Sequence, residues 1–426
     1  MYELLEFGIY ENVTDYLFRG SNGGHILFRG IIMQGLWTKS YIFMIISMLF
    51  LFTSFYMLYP TLPMFIKEIG GDESHVGLSM GVFMLTAVIF RPFVGGLLDR
   101  FGSRPFIISG IILFSLSMYT YEWVGGIFIL LVLRLLHGMS WGISSTSMQT
   151  AITNMIPSKR RGEGLGWSGM AMTFAMAIGP MFGIWIAENM SYHSLFLFAA
   201  ILSSFSLFLT FGAKISFEQN NNMKRKIVFF EKTFFPISIA IFFLFISYGG
   251  ITTFVPLFAN SINSNSGTFF LIYAIVLIIT RPIAGKLSDK YGETLIIVPS
   301  LLITIVSLLV LSNSNGLIGL FISAVLYGCG FGSAQPALQS ATVSLVPSEQ
   351  SGVANASFST ATDLGIGLGA MILGLVSQHT SYQTIFIFGA ISVFLSFLTF
   401  TFLAKPLLKK KHLVDNKSST YSSKEG

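Results

Sequence analysis

The sequence predicts an all-α integral membrane protein, with twelve transmembrane helices arranged as two parallel six-helix repeats. Three observations carry this reading. The composition is too apolar for a soluble surface. The apolar residues fall into twelve runs of membrane-spanning length. The second half of the chain repeats the first at a fixed offset.

Of 426 residues, 53% are hydrophobic and 10% charged, against roughly 25% charged in an ordinary soluble domain. The mean hydropathy is +0.73. So few charges could not wet the surface of a soluble fold, whereas a bilayer removes the need. The net charge of +6 reads as base collected in cytoplasmic loops, and no nucleic-acid partner is expected. The single cysteine, Cys329, stands between Gly328 and Gly330. It excludes an intramolecular disulfide and a cysteine-based metal site.

A hydrocarbon core of ~30 Å takes about 20 residues of helix. Residues 1–33 are polar and glycine-dotted, and they lack the basic start and apolar core of a signal peptide. They read as a disordered extension or a mis-called start, with Met33 as the plausible beginning. The first bundle spans 34–213, with helices predicted over 41–63, 76–97, 105–123, 126–150, 163–187 and 193–213. The longest break, KISFEQNNNMKRKIVFFEK, is Asn-rich and basic and makes 214–233 a cytoplasmic linker. The second bundle spans 234–404, with helices over 234–258, 267–287, 294–312, 316–341, 352–377 and 382–404. A polar tail, 405–426, follows. With the N-terminus inside, the inner loops collect Arg100, Arg104, Lys159 to Arg161, Lys224 to Lys226, Lys286 and Lys290, while the outer loops hold Lys67 and otherwise acids or His. This asymmetry places both termini in the cytoplasm.

RPFVGGLLDRFG begins at Arg91, and RPIAGKLSDKYG begins at Arg281, 190 residues later (281 − 91). The same offset pairs Gly138 with Gly328, Gly142 with Gly332, Gln149 with Gln339, Gly179 with Gly369, and Ser191-Tyr192 with Ser381-Tyr382. The chain is therefore two bundles of common design. Such parallel halves, with a site between them near the midplane, form a transporter architecture.

On these residues the sequence resembles the major facilitator superfamily over about residues 34–405. Gly95-Gly96-Leu-Leu-Asp99-Arg100-Phe-Gly102-Ser-Arg104 is similar to the family's loop 2–3 motif, with Ser103 where a base is usual. Arg134-Leu-Leu-His137-Gly138 resembles the helix-4 motif. Gly166, Gly179, Pro180 and Gly183 resemble the helix-5 motif of the antiporter branch, with Ala175 and Ile184 replacing two glycines. The Arg-Pro lead-in and the glycine run at 363–369 resemble bacterial efflux proteins for drugs and metallophores. The resemblance implies gating by Gly95, Asp99, Arg100, Gly102 and Arg104, with Asp289 in the weaker second copy. It also ties Arg134 to proton transfer.

The residues have their own chemistry. Gly95 and Gly96 let helices approach closely. Asp99 is placed to pair with Arg100 or Arg104, or to cap a helix. Arg91 and Arg281 read as snorkelling arginines or structural salt bridges, with substrate or proton handling the lesser reading. Arg134, eight residues into its helix, lies ~12 Å deep at ~1.5 Å per residue, where a guanidinium is costly and usually functional. His137 shares its face. Asp363 is the one acid placed at mid-membrane, and its repeat counterpart is Thr173. It is the expected proton or cation site, against a packing role beside Gly365 and Gly367. Candidate cavity residues are Tyr56, Tyr59, Tyr248, Tyr273 and Tyr327, together with Gln149, Gln335, Gln339 and Met176, which suits an adaptable apolar pocket.

No phosphate-binding loop, H-E-x-x-H or Ser-His-Asp set is present, so no enzyme activity, metal or other cofactor is expected. The proton gradient is the expected energy source. The reading is a monomeric, proton-driven exporter of small organic compounds in a bacterial plasma membrane, with a largely apolar pocket and one acid. The alternatives are an uptake symporter and, remotely, a non-transporting sensor.

Overall fold

The computed structural model describes residues 35–157, 160–215, 234–345 and 351–409; for Asp99, Asp289, 161–162, 351–353 and 355–356 only the backbone is described. The readings of residues 1–33, most of the linker and the end of the tail lie outside these. Among the described residues there are twelve helices long and apolar enough to cross a membrane. They are α1 Lys39–Glu68, α2 Glu73–Phe101, α3 Ser103–Thr120, α4 Ile127–Met155, α5 Arg161–Asn189 and α6 Tyr192–Gly212. After the linker come α7 Phe235–Ser261, α8 Ser266–Tyr291, α9 Glu293–Ser312, α10 Leu317–Ser344, α11 Ser351–His379 and α12 Tyr382–Thr399.

Most helices outrun the apolar runs, and polar caps mark the starts of α1 and α2. Asp72 closes a capping box with His75 at the start of α2, and Thr38 accepts from Tyr41 N–H at the start of α1. Two expected boundaries change. α3 stops at Thr120 and a 3₁₀ turn, Tyr121–Trp123, finishes the span. The last span does not stop at 404: a π-helical turn, Phe400–Ala404, leads into helix that reaches Lys409. The basic residues expected in a tail therefore begin on the helix.

The repeat is visible in the packing. In the first half α1 lies against α5 and α6, α4 against α2 and α3, and α3 against α6; the second half repeats every one of these contacts six helices later. Equivalent positions even face the same way. Phe128 and Ile318, 190 apart, are 79% and 78% exposed, on the outer girdle of apolar side chains that lipid covers. A Cβ added at Gly138 would lie 2.3 Å from Phe83 O, and one at Gly328 would lie 2.8 Å from Val276 Cβ. Both glycines thus bring the fourth helix of a half onto the second.

The halves meet through α2 with α11, α5 with α8, and α1 with α7. All six odd-numbered helices begin at the end of the bundle from which the linker emerges, called here the linker end. The opposite end carries the α1–α2 and α7–α8 turns.

Candidate functional site

A cavity of about 940 Å³ lies between the halves. Its walls come from the linker-end portions of α4 (Gln149, Thr153), α5 (Glu163 to Phe174), α8 (Ile278 to Gly285) and α10 (Gln335 to Ser344), with Met48 from α1. Because Glu163 and Ser344 sit at helix ends, the cavity reaches the linker end. It is mostly apolar, as a small-molecule site is. Its charged lining residues are Glu163 and Arg281. Glu163 at the mouth is held bidentately by Arg160, at 2.7 and 2.8 Å.

The opposite end is sealed. Added Cβ atoms at Gly77 and Gly374 would lie 2.4 Å from Ala370 O and 2.7 Å from Glu73 O, so α2 and α11 touch backbone to backbone. Polar groups then tie the halves together. Tyr382 OH donates to Glu73 at 2.7 Å, Gln378 donates to Asp72 at 3.2 Å, Ser74 bonds Gln378, and Asn265 donates to Glu188 at 3.0 Å. Lys67 adds an ion pair to Glu73 at 2.6 Å. The Asp72 carboxyl, outside the membrane spans, is held below the usual carboxylate range chiefly by the His75 backbone N–H. None of this set was singled out in the sequence. The signal for Tyr382 was its place in the repeated Ser-Tyr pair.

Between cavity and seal lies a layer of buried rings, which holds the tyrosines proposed for the cavity. Tyr56 stacks on Tyr59, and Tyr59 meets Tyr248 across the halves at 6.4 Å. Tyr248 and Tyr327 both stack on Phe331, and Tyr273 leans on Tyr327. In this conformation these rings do not line the open cavity, a correction to the expectation; they close its inner end. The hydroxyls of Tyr59, Tyr248 and Tyr273 are buried without a hydrogen-bond partner. Gln149, Gln335 and Gln339 do line the cavity. Met176 stands just behind, its sulfur 3.5 Å from Arg281.

Asp363 is buried. Its carboxylate lies 2.7 Å from the Arg91 guanidinium, across the α2–α11 interface. Arg91 therefore does not snorkel to the membrane surface; it is half of an ion pair between the two halves. Its repeat counterpart, Arg281, does not snorkel either. It donates to Thr173 on α5 and Gln335 on α10 and lines the cavity. The pocket expected to carry one acid thus presents a cation beside its inner wall. Arg91 thus takes the salt-bridge reading and Arg281 neither of the two; a helix face cannot be read where every side is apolar, which is why Arg281 was not assigned to the cavity.

Arg134 and His137 are elsewhere. Both are buried inside the first half, joined through Tyr121: Arg134 donates to the Tyr121 hydroxyl at 3.3 Å, and His137 Nδ1 lies 3.0 Å from it. Arg134 also donates to Ser79 O at 3.1 Å and lies 4.1 Å over the Phe83 ring. Neither residue lines the cavity or touches the Arg91–Asp363 pair.

The loop 2–3 string behaves partly as expected. Gly102 turns α2 into α3 with φ of +79°, and Gly292 does the same between α8 and α9 with φ of +88°; positive φ is what makes glycine necessary there. A Cβ at Gly95 would meet nothing within 4 Å, so close helix approach does not explain Gly95. The halves diverge at this end around the cavity. Arg100 lies over the Phe101 ring, and neither Arg100 nor Arg104 is ion-paired among the described residues. The side chains of Asp99 and Asp289 are outside the described set. In the helix-5 motif, Gly179 and Gly183 seat α5 against Tyr56 and Met57 of α1, on either side of Pro180, whereas Gly166 lines the cavity.

Comparison with known proteins agrees with this architecture. The family described as Major Facilitator Superfamily matches residues 44–361 and 237–422. A staphylopine export protein of Staphylococcus aureus is 27% identical over 88% of this chain and 98% of its own length. A PmrA-homologous multi-drug resistance efflux pump of Lactococcus lactis is 24% identical over 89% of this chain and 98% of its own. The crystal structure of the nucleoside transporter NupG superposes with a TM-score of 0.65 at 17% identity, covering 85% of this chain and 99% of that one.

Proposed function

The chain belongs to the Major Facilitator Superfamily and is a multi-pass membrane transporter, and we propose that it exports small organic compounds from the cytoplasm of a bacterial cell in exchange for protons. The relatives named as exporters support the direction. The base-rich linker end supports a cytoplasmic location for the cavity mouth, so the conformation described is inward-facing. The two halves rock about the ring layer, opening one end as the other seals.

The observation that carries the proton coupling is the Arg91–Asp363 pair, 2.7 Å apart across the halves. The carboxylate is ionised and paired while the cavity faces the cytoplasm. Protonation removes the negative charge, leaves Arg91 without a counter-ion and weakens the α2–α11 contact. Proton occupancy thereby biases the equilibrium between the two states. Gly95, Asp99, Arg100, Gly102, Arg104 and Asp289 are read as the linker-end gate that closes when the seal opens, and Arg134 with His137 as a brace for the first half.

A second reading, uptake by symport, is favoured by one observation: a cation, Arg281, lines the cavity, as a carrier of anionic nutrients needs. One experiment separates the two. Inside-out vesicles are energised acid inside, candidate compounds are added, and an internal pH dye is followed for the parent and Asp363→Asn. Alkalinisation evoked in the parent and lost in the variant supports antiport through Asp363. Acidification on adding the compound supports symport, and proton movement in both proteins removes Asp363 from the coupling.

A further inference from the structure

Arg91 and Arg281 occupy equivalent places in the two halves, and so do Asp363 and Thr173. The fold makes the same contact twice: the α2 arginine reaches the α11 carboxylate, and the α8 arginine reaches the α5 hydroxyl. One guanidinium is neutralised. The other, within the membrane, has only neutral partners: Thr173, Gln335 and the Met176 sulfur. Its Nε has no partner. Among the described residues no carboxylate pairs with Arg281, and the other charged lining residue, Glu163, is already held by Arg160. A cation in such a place is costly unless something compensates it. The repeat supplies that compensation at Arg91 and leaves it out at the arginine that faces the cavity.

We infer that the cavity takes amphipathic organic anions, with Arg281 as the group that binds a carboxylate or similar oxyanion. The inference rests on the reading of this cavity as the substrate site, but not on the direction of transport. A guanidinium presents a planar fork of N–H donors that matches a carboxylate. Gln335 and Thr173 fix that fork at the inner wall. Met172, Phe174 and Ile278 supply apolar surface beside it, and Gln339 lies farther toward the mouth. The ligand therefore has an acid group at one end and an apolar body.

The test is calorimetric titration of the full-length protein in lipid nanodiscs with three probes of one shape: 4-phenylbutyrate, its uncharged amide, and 4-phenylbutylamine. The parent is expected to bind the carboxylate about tenfold or more tighter than the amide, and the amine least, as a charge-assisted hydrogen bond requires. Arg281→Gln is expected to erase the preference of the carboxylate over the amide. Thr173→Asp supplies the missing acid and is expected to erase it with the arginine in place, which covers a failure of Arg281→Gln to fold. Equal binding of carboxylate and amide by the parent, or a preference that survives both variants, overturns the inference. Binding at equilibrium needs no proton movement. An Arg281-dependent preference without substrate-evoked proton release sinks the exporter reading alone, and proton release without any preference sinks this one alone.

Discussion

Arg91 on α2 closes on Asp363 on α11 at 2.7 Å, and the pair joins the two halves of the molecule along an interface that also holds glycine-mediated backbone contact. Breaking a buried pair from one side leaves a charge without compensation, at about 3–5 kcal/mol. Arg91→Gln alone is therefore expected to lower thermal stability in lipid markedly. The double variant Arg91→Gln/Asp363→Asn should recover most of that loss. A double variant as unstable as the two single losses added together would show that the pair is not coupled.

Thr173→Asp places a second carboxylate beside Arg281 and would make the halves electrostatically alike. A stabilised protein is expected, with a rise in midpoint of a few degrees, together with loss of transport because the halves are held by two ion pairs rather than one. Thermal unfolding and transport on the same preparation check both parts. An unchanged midpoint would mean that the new acid does not reach the guanidinium.

The sealed end depends on the absence of side chains. A Cβ at Gly77 would stand 2.4 Å from Ala370 O, so Gly77→Val must push α2 away from α11. Ser74 and Gln378 bond across this seam, and cysteines there report on its closure in a Cys329→Ser background. Disulfide formation between positions 74 and 378 should be rapid in the otherwise native protein and several-fold slower with Gly77→Val. Equal rates would mean that the seam yields elsewhere.

Tyr121 ties Arg134 to His137 inside the first half. Tyr121→Phe removes only the shared hydroxyl and should cost about 1–3 kcal/mol, because a charged donor loses a buried acceptor. If Arg134 braces the fold, the number of protons moved per substrate stays at the parental value. A changed stoichiometry would instead place Arg134 on the proton path.

Asp72 caps α2 with an exposed carboxylate whose native pKa is lowered by the His75 N–H. The sign follows from linkage: the cap's contribution is fully present above the unfolded value near pH 4 and is lost as pH falls through the lowered native one. Asp72→Ala should cost about 0.5–2 kcal/mol at pH 7 and lose its effect in acid. Measuring the midpoint against pH for both proteins checks this, and a difference that persists below the native titration rules the cap out as its source.

The class of fold, the number of spans, the repeat and the positions of the rare intramembrane charges were all legible in the chain. Those depend on length, composition and offset, which survive whatever the helices touch. Asp363 also stood out there, with Thr173 in its place in the other half. Which faces the helices present emerged only from their packing. In lipid the outer face of a helix is as apolar as its packed face, so Ile89 on the exposed side and Ala87 on the buried side of α2 look alike in the chain. For that reason Arg91 could not be matched to Asp363, nor Arg281 assigned to the cavity. The five tyrosines could not be recognised as the layer beyond it until α1, α7, α8 and α10 were packed together.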